Sequence, residues 1–310
     1  MPLRISQWQK MSKKRNSETK KEIRLALVPK PTCICEQCLM LASRGFDFKK
    51  EFDTHGSIKS TCKCKFMPGI KNETKIDGYD PEECANKCKE VKRIKNELGS
   101  DLGRLDDEQK ERIINSIYEA ESKGITFSRV DDSEPIKIDY TNRPKDSFGV
   151  FKKELDGIDK YDENNFEFKG NEWRDLFAHY VLSNHGFEVR IRRGSAVGID
   201  GKIIQGLTLV DVDLNGILYE IKSVTGTNIG RIIETRMKEV VKRNFRNPYD
   251  DATMLRYDYD PVPRMVFNMM YCEADEMDAL WHIPRRMGEN TVEDVLILLK
   301  NGNVYRFTKK

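Results

Sequence analysis

Residues Leu207–Val224 read LTLVDVDLNGILYEIKSV. Two aliphatic runs flank Asn215-Gly216, a pair that supplies the positive φ angles of a two-residue turn. The stretch predicts a hairpin of Leu207–Val212 with Ile217–Ile221. In Tyr219-Glu220-Ile221-Lys222 the side chains alternate between faces, so Tyr219 and Ile221 suit a core while Glu220 and Lys222 point together the other way. Asp211 or Asp213, across the turn, can reach that same face. Carboxylate oxygens so gathered suit Mg2+, which takes a few of them together with waters and phosphate oxygens. A lysine beside them can orient an attacking water and stabilise charge developing on phosphate. The plain alternative is a solvated strand face on which Glu and Lys carry no role.

Working outward, Glu172–Asn184 fits an amphipathic helix with Trp173, Leu176, Phe177, Tyr180 and Val181 on one side, and Glu172 near its start offers a further carboxylate. Gly186 stops it, and Phe187–Ile191 alternates as a strand. Ile229–Arg243 reads as a helix, Met265–Tyr271 as a strand, and Glu273–Met287 as partly helical. Val292–Leu299 and Val304–Phe307 form a closing hairpin around Asn301-Gly302. Residues 166–310 are thus a mixed α/β (α+β) domain. Arg190, Arg192 and Arg193, with Lys242, Arg243 and Arg246, offer a local phosphate patch; Thr225, Arg231, Glu234 and Arg236 are candidates to line a groove, and His179 reads as a packed histidine.

Upstream the texture differs. Residues 1–98 hold 22 Lys/Arg against 13 Asp/Glu, whereas the rest of the chain is acidic, and the net charge is +3. The division reads as a basic arm over 1–30 with one helix, a cysteine-rich module over 31–95, a helix and connector over 96–165, then the domain at 166–310. Within the third part, Asp106–Lys123 has helical spacing, with Ile113, Ile114, Ile117 and Tyr118 on one face, and residues 124–165 read as connector. No apolar run is long enough for a membrane span, and the first residues lack the apolar core of a signal peptide. That predicts a reducing compartment, in which clustered cysteines favour metal over disulfides. Of eight cysteines, seven lie between Cys33 and Cys88. Cys35-x2-Cys38 and Cys62-x-Cys64 pair as four thiolates for a structural, tetrahedral Zn2+, with Cys33, His55, Cys84 and Cys88 as possible substitutes.

The order of Glu172, Asp211 and the Glu220-x-Lys222 pair resembles the PD-(D/E)XK nuclease fold. More closely, NEWRDLFAHYVLSNHGFEV, DVDLNGILYEIKSVTG, IIETRMKEVVKRN and VLILLKNGNVYRF resemble successive parts of the tRNA-nuclease toxin domains that end contact-dependent growth-inhibition (CdiA) proteins. Val210 stands where those domains usually carry proline before the aspartate. The resemblance implies a mixed central sheet flanked by helices and a metal-dependent nuclease acting on tRNA. Glu172, Asp211, Glu220 and Lys222 would be its catalytic set, Asp213 the alternative Mg2+ ligand, and an immunity protein its partner. A DNA endonuclease with the same chemistry is the nearest alternative. CEQCLMLASRGFDFKK, CKCKFMPG and DGYDP resemble the C-terminal part of Mu F-like phage minor head proteins. That second resemblance implies head or packaging proteins as partners, a bacterial cytoplasm or phage virion as location, and a non-enzymatic virion component as the other alternative.

Overall fold

A computed structural model describes residues 22–49, 63–71, 76, 78–131, 172–191, 195–197, 203–208, 211–244 and 264–310, with 172–177, 190–191, 195–197, 203–208 and 241–244 described by backbone alone. The chain divides into two compact units, residues 1–118 and 119–310.

Residues 1–21, and with them most of the arm expected to hold one helix, lie outside the described residues, and the first described element is a strand. β1 (Ile23–Val28) buries Arg24, Ala26 and Leu27 and pairs antiparallel with β2 (Lys65–Ile70), from Ile23–Ile70 to Val28–Lys65. Helices α1 (Glu36–Ala42) and α2 (Pro81–Leu98) pack on each other. α2 lies where the sequence suggests only a cysteine-rich module, although its start is written plainly. The Asp80 carboxylate caps the N–H groups of Glu82 (2.9 Å) and Glu83 (3.4 Å), and Pro81 opens the first turn, where its missing N–H costs nothing. Ala26, Ala42, Phe46, Tyr79 and Cys84 form an apolar cluster. α3 (Asp107–Glu121) buries Ile113, Ile114 and Ile117, as its spacing predicts. It anchors the loop after β1 through Lys30–Glu111 (2.5 Å) and through Asn115 Nδ2, which donates to the Thr32 carbonyl (2.9 Å).

Among the described residues, the second unit is built on a seven-stranded mixed sheet. Its strands are β3 (Ile125–Val130), β4 (Val189–Ile191), β7 (Val212–Leu214), β8 (Ile217–Ser223), β9 (Arg264–Asn268), β10 (Asp294–Leu298) and β11 (Val304–Lys309). Their order is β3-β11-β10-β9-β8-β7-β4. β5 (Ser195–Val197) and β6 (Ile203–Thr208) make a separate antiparallel ribbon. The expected hairpin arm Leu207–Val212 is therefore divided: β6 ends at Thr208, and the arm opposite β8 begins only at Val212. The Asn215-Gly216 turn stands, with φ of 54° and 82°. β3 lies inside residues 124–165, read above as connector, so the sheet reaches upstream of residue 166.

β8, β9 and β10 run parallel, joined by α5 (Ile229–Asn244) and α6 (Ala279–Glu289). Right-handed crossovers put both helices over one face of the sheet, and the two pack together. On the other face Ala178, Val181 and Leu182 of α4 (Glu172–Asn184) share a core with Tyr219, Ile221, Val266, Leu296 and Leu298. Both faces are thus covered, which is why the consecutive Met265, Val266 and Phe267 of β9 are all buried although they alternate sides. Among the described residues, no helix is long and apolar enough to cross a membrane.

Candidate functional sites

Register fixes what the hairpin presents. Val212 pairs with Tyr219 and Asp213 with Leu218, so the odd positions of β7 share a face with the even positions of β8. Asp211, Asp213, Glu220 and Lys222 all fall on that face, opposite the α4 core. Past the Val212–Tyr219 pair β8 has no partner residue on β7, and the Ile221 N–H donates instead to Asp211 Oδ2 at 2.9 Å. A backbone donor therefore holds the Asp211 carboxylate at the sheet edge.

The Lys222 ammonium makes a short contact with Glu220 Oε1 and lies 4.0 Å from Asp211 Oδ2. Glu220 is 7% exposed and Asp213 6%, while the Lys222 side chain retains 15% of its accessibility. Two carboxylates and one cation thus meet at a half-open point. Oxygen donors of this type suit a hard divalent ion, and the place where they converge already accommodates a positive charge. Glu172 opens α4, but its side chain lies outside those described. Of the further candidates, Thr225 and Arg231 are exposed. Glu234 pairs with Lys238 (2.5 Å) and Arg286 (2.8 Å), and Arg236 with Glu239 (2.8 Å). His179 is buried. Arg190 stands opposite Asp213 in the β4–β7 register; Arg192, Arg193 and Arg246 lie outside the described residues.

Behind the site, on the α4 face, runs a polar network that the sequence reading did not contain. Arg306 grips Asp294 through Nε to Oδ1 (3.0 Å) and Nη2 to Oδ2 (2.5 Å), and the Tyr219 hydroxyl donates to Asp294 Oδ2 (2.6 Å). Burial first, then the Asp294 charge, push the Tyr219 phenol well above its ordinary range, so it stays a donor. Only the pairing of β8, β9, β10 and β11 brings these residues into reach, and no local spacing announces them.

In the first unit, Cys33, Cys38 and Cys64 bring their sulfurs within 4.8 Å of one another, and this group could hold a metal ion. The Cys33 and Cys64 sulfurs are 4.0 Å apart. The fold explains the grouping. The Val28–Lys65 pair closes the ribbon and sets Cys64 at the end where the chain turns through Cys33, whose N–H donates to the Lys30 carbonyl (2.9 Å). Cys38 reaches in from α1. The Cys64 thiol, and then burial, push the Cys33 thiol far up.

Cys35, expected in that group, lies outside it. It is the cap residue of α1 with extended backbone (φ −78°, ψ 108°), so helical i to i+3 stacking does not align it with Cys38. Cys84 belongs to the apolar cluster, where burial raises its thiol to about 11. Cys88 Sγ donates to the Glu36 carbonyl (3.5 Å). Cys62 and His55 lie outside the described residues.

Residues 5–91 match the model of a family described as VG15 protein. No curated protein matches the chain. Among solved structures, the CdiA-CT/CdiI toxin and immunity complex from Burkholderia pseudomallei is similar over 46% of this chain and 91% of that chain, at 16% identity and a TM-score of 0.30.

Proposed function

We propose that the second unit is a metal-dependent nuclease toxin that cleaves tRNA, carried behind a phage-type module. The observation that carries this reading is the convergence of Asp211, Glu220 and Lys222 on one sheet face. Asp211 and Glu220 would hold a divalent cation, Mg2+ by its preference for oxygen, with Asp213 as the alternative ligand and Glu172 as a further carboxylate. When bound, such an ion withdraws charge from a scissile phosphate. Lys222 then has a separate task. Released from Glu220, its ammonium donates to the attacking oxygen, a water or a ribose hydroxyl, and stabilises charge gathering on the phosphate. The Ile221 N–H holds Asp211 Oδ2 by a bond that does not involve Lys222.

In the first unit, Cys33, Cys38 and Cys64 would supply three of the four ligands of a structural Zn2+. Soft thiolates there and hard oxygens in the second unit would keep the two metals apart. The VG15 match, a viral or phage-type family, supports a phage origin for the first part of the chain and head or packaging proteins as its partners. An immunity protein covering the nuclease face follows from the toxin reading. The same match favours, as a second reading, a virion component in which the nuclease face only binds.

The deciding experiment incubates the full chain with total tRNA and with duplex DNA, in Mg2+ and in chelator. Mg2+-dependent tRNA cleavage supports the toxin, and DNA cleavage keeps the site but changes its substrate. Intact substrates of both kinds with a folded chain turn the reading to the virion component.

A further inference from the structure

β3 and β11 are the first and last strands of their sheet in the sequence, yet they pair along their whole length, from Ile125–Lys309 to Val130–Val304. The pairing is dense in side-chain contact. The Phe127 ring stacks on Tyr305 (centroids 5.6 Å apart, planes at 16°) and lies 5.0 Å from Phe307. Thr126 Oγ1 donates to the Thr308 carbonyl (3.0 Å), Arg129 Nη2 to Asn303 Oδ1 (2.7 Å), and the Lys310 N–H to the Gly124 carbonyl (3.0 Å). Phe127, Tyr305 and Phe307 are all buried. The far edge of β3 is blunted, since its Phe127 N–H is given to Glu121 Oε1 (3.2 Å) and does not invite a further strand. Between β3 and the next described part of the unit lie residues 132–171.

We propose that the β11 edge is a docking surface for one occupant, the Ile125–Val130 strand of this chain, and that it holds this strand without needing the covalent connection. Every contact named above joins residues 121–130 to residues 303–310 or stays within 121–127, so none depends on residues 132–171. A cut in that segment leaves one fragment carrying β3 and another carrying β11, with all of these contacts intact. The part of the chain that matches the VG15 family would then remain attached to the sheet after such a cut. Without β3, β11 becomes a raw edge lined by Tyr305 and Phe307, open to another strand. This inference does not rest on the nuclease reading.

The test inserts a specific protease site after Val150 of the full chain, cuts it, and passes the product through size exclusion at micromolar concentration without denaturant. The fragments are expected to elute as one species. Strand alternation turns the Ser128 N–H toward β11, so Ser128→Pro removes one ladder hydrogen bond and should raise the released fraction by about tenfold. An excess of a peptide of residues 119–131, added to the cut unmodified chain, should displace the upstream fragment; this arm stands even if the proline variant fails to fold. Separation of the unmodified fragments, proline-variant fragments that stay bound as firmly, or a peptide that displaces nothing would each overturn the proposal.

Discussion

At Ile221 the β8 backbone runs past the paired end of β7, and the Asp211 carboxylate takes its N–H. That detail explains what the sequence could and could not say about the site. Strand alternation alone put Glu220 and Lys222 on one face, and both aspartates with them. That Asp211 stands at the sheet edge, 4.0 Å from Lys222, depends on β7 starting at Val212, a boundary the sequence does not mark. The ion pair itself is testable apart from any activity. With Glu220 buried, Lys222→Met should destabilise the chain by about 3 kcal/mol in urea titrations with chelator present, because a buried carboxylate loses the ammonium in contact with it. Adding Glu220→Gln should restore most of that loss. The cysteines follow the same pattern of partial legibility. Their clustering is plain in the sequence, whereas the grouping of Cys33, and not Cys35, with Cys38 and Cys64 goes with the extended backbone of a helix cap. Cys33→Ser should lower the zinc bound per chain and Cys35→Ser should leave it unchanged, as read by elemental analysis of protein purified without chelator.

Among the elements, the hairpins and helices of the second unit were readable because their turns and periods are local. Asn215-Gly216 and the closing Gly302 (φ 83°) both mark real turns, and α4 and α5 keep nearly their expected bounds. β1 and α2 were missed for a different reason. β1 is a six-residue strand within the basic arm, and the lysines and cysteines of α2 interrupt its apolar period. Two glycines show how tightly the elements meet. A Cβ on Gly69 of β2 would lie 2.3 Å from the Phe46 ring, which is itself buried edge-on against Tyr79. One on Gly230 of α5 would lie 2.4 Å from the His282 ring, packed beside Trp281. Gly69→Ala and Gly230→Ala should each cost about 1–3 kcal/mol of stability in denaturant titrations, the usual range for overpacking.

On the scale of the whole molecule, the sheet is closed by strands from opposite ends of its sequence, with hydrogen bonds joining residues 174 and 182 positions apart. No local pattern reveals such a pairing, so β3 was read as connector. The Tyr219–Asp294–Arg306 network has the same origin and braces β8 from behind, next to the residue proposed to bind metal. Under the proposed function, the face opposite this network performs catalysis. The most direct measurement is the single-turnover rate of tRNA cleavage by the full chain and by Glu220→Gln in saturating Mg2+, with thermal unfolding recorded for both. A rate lower by about a thousandfold in a variant that still unfolds cooperatively is the predicted result, the scale expected for losing a group that stabilises the transition state. Cleavage by Glu220→Gln at the unmodified rate would contradict the claim and place the chemistry elsewhere.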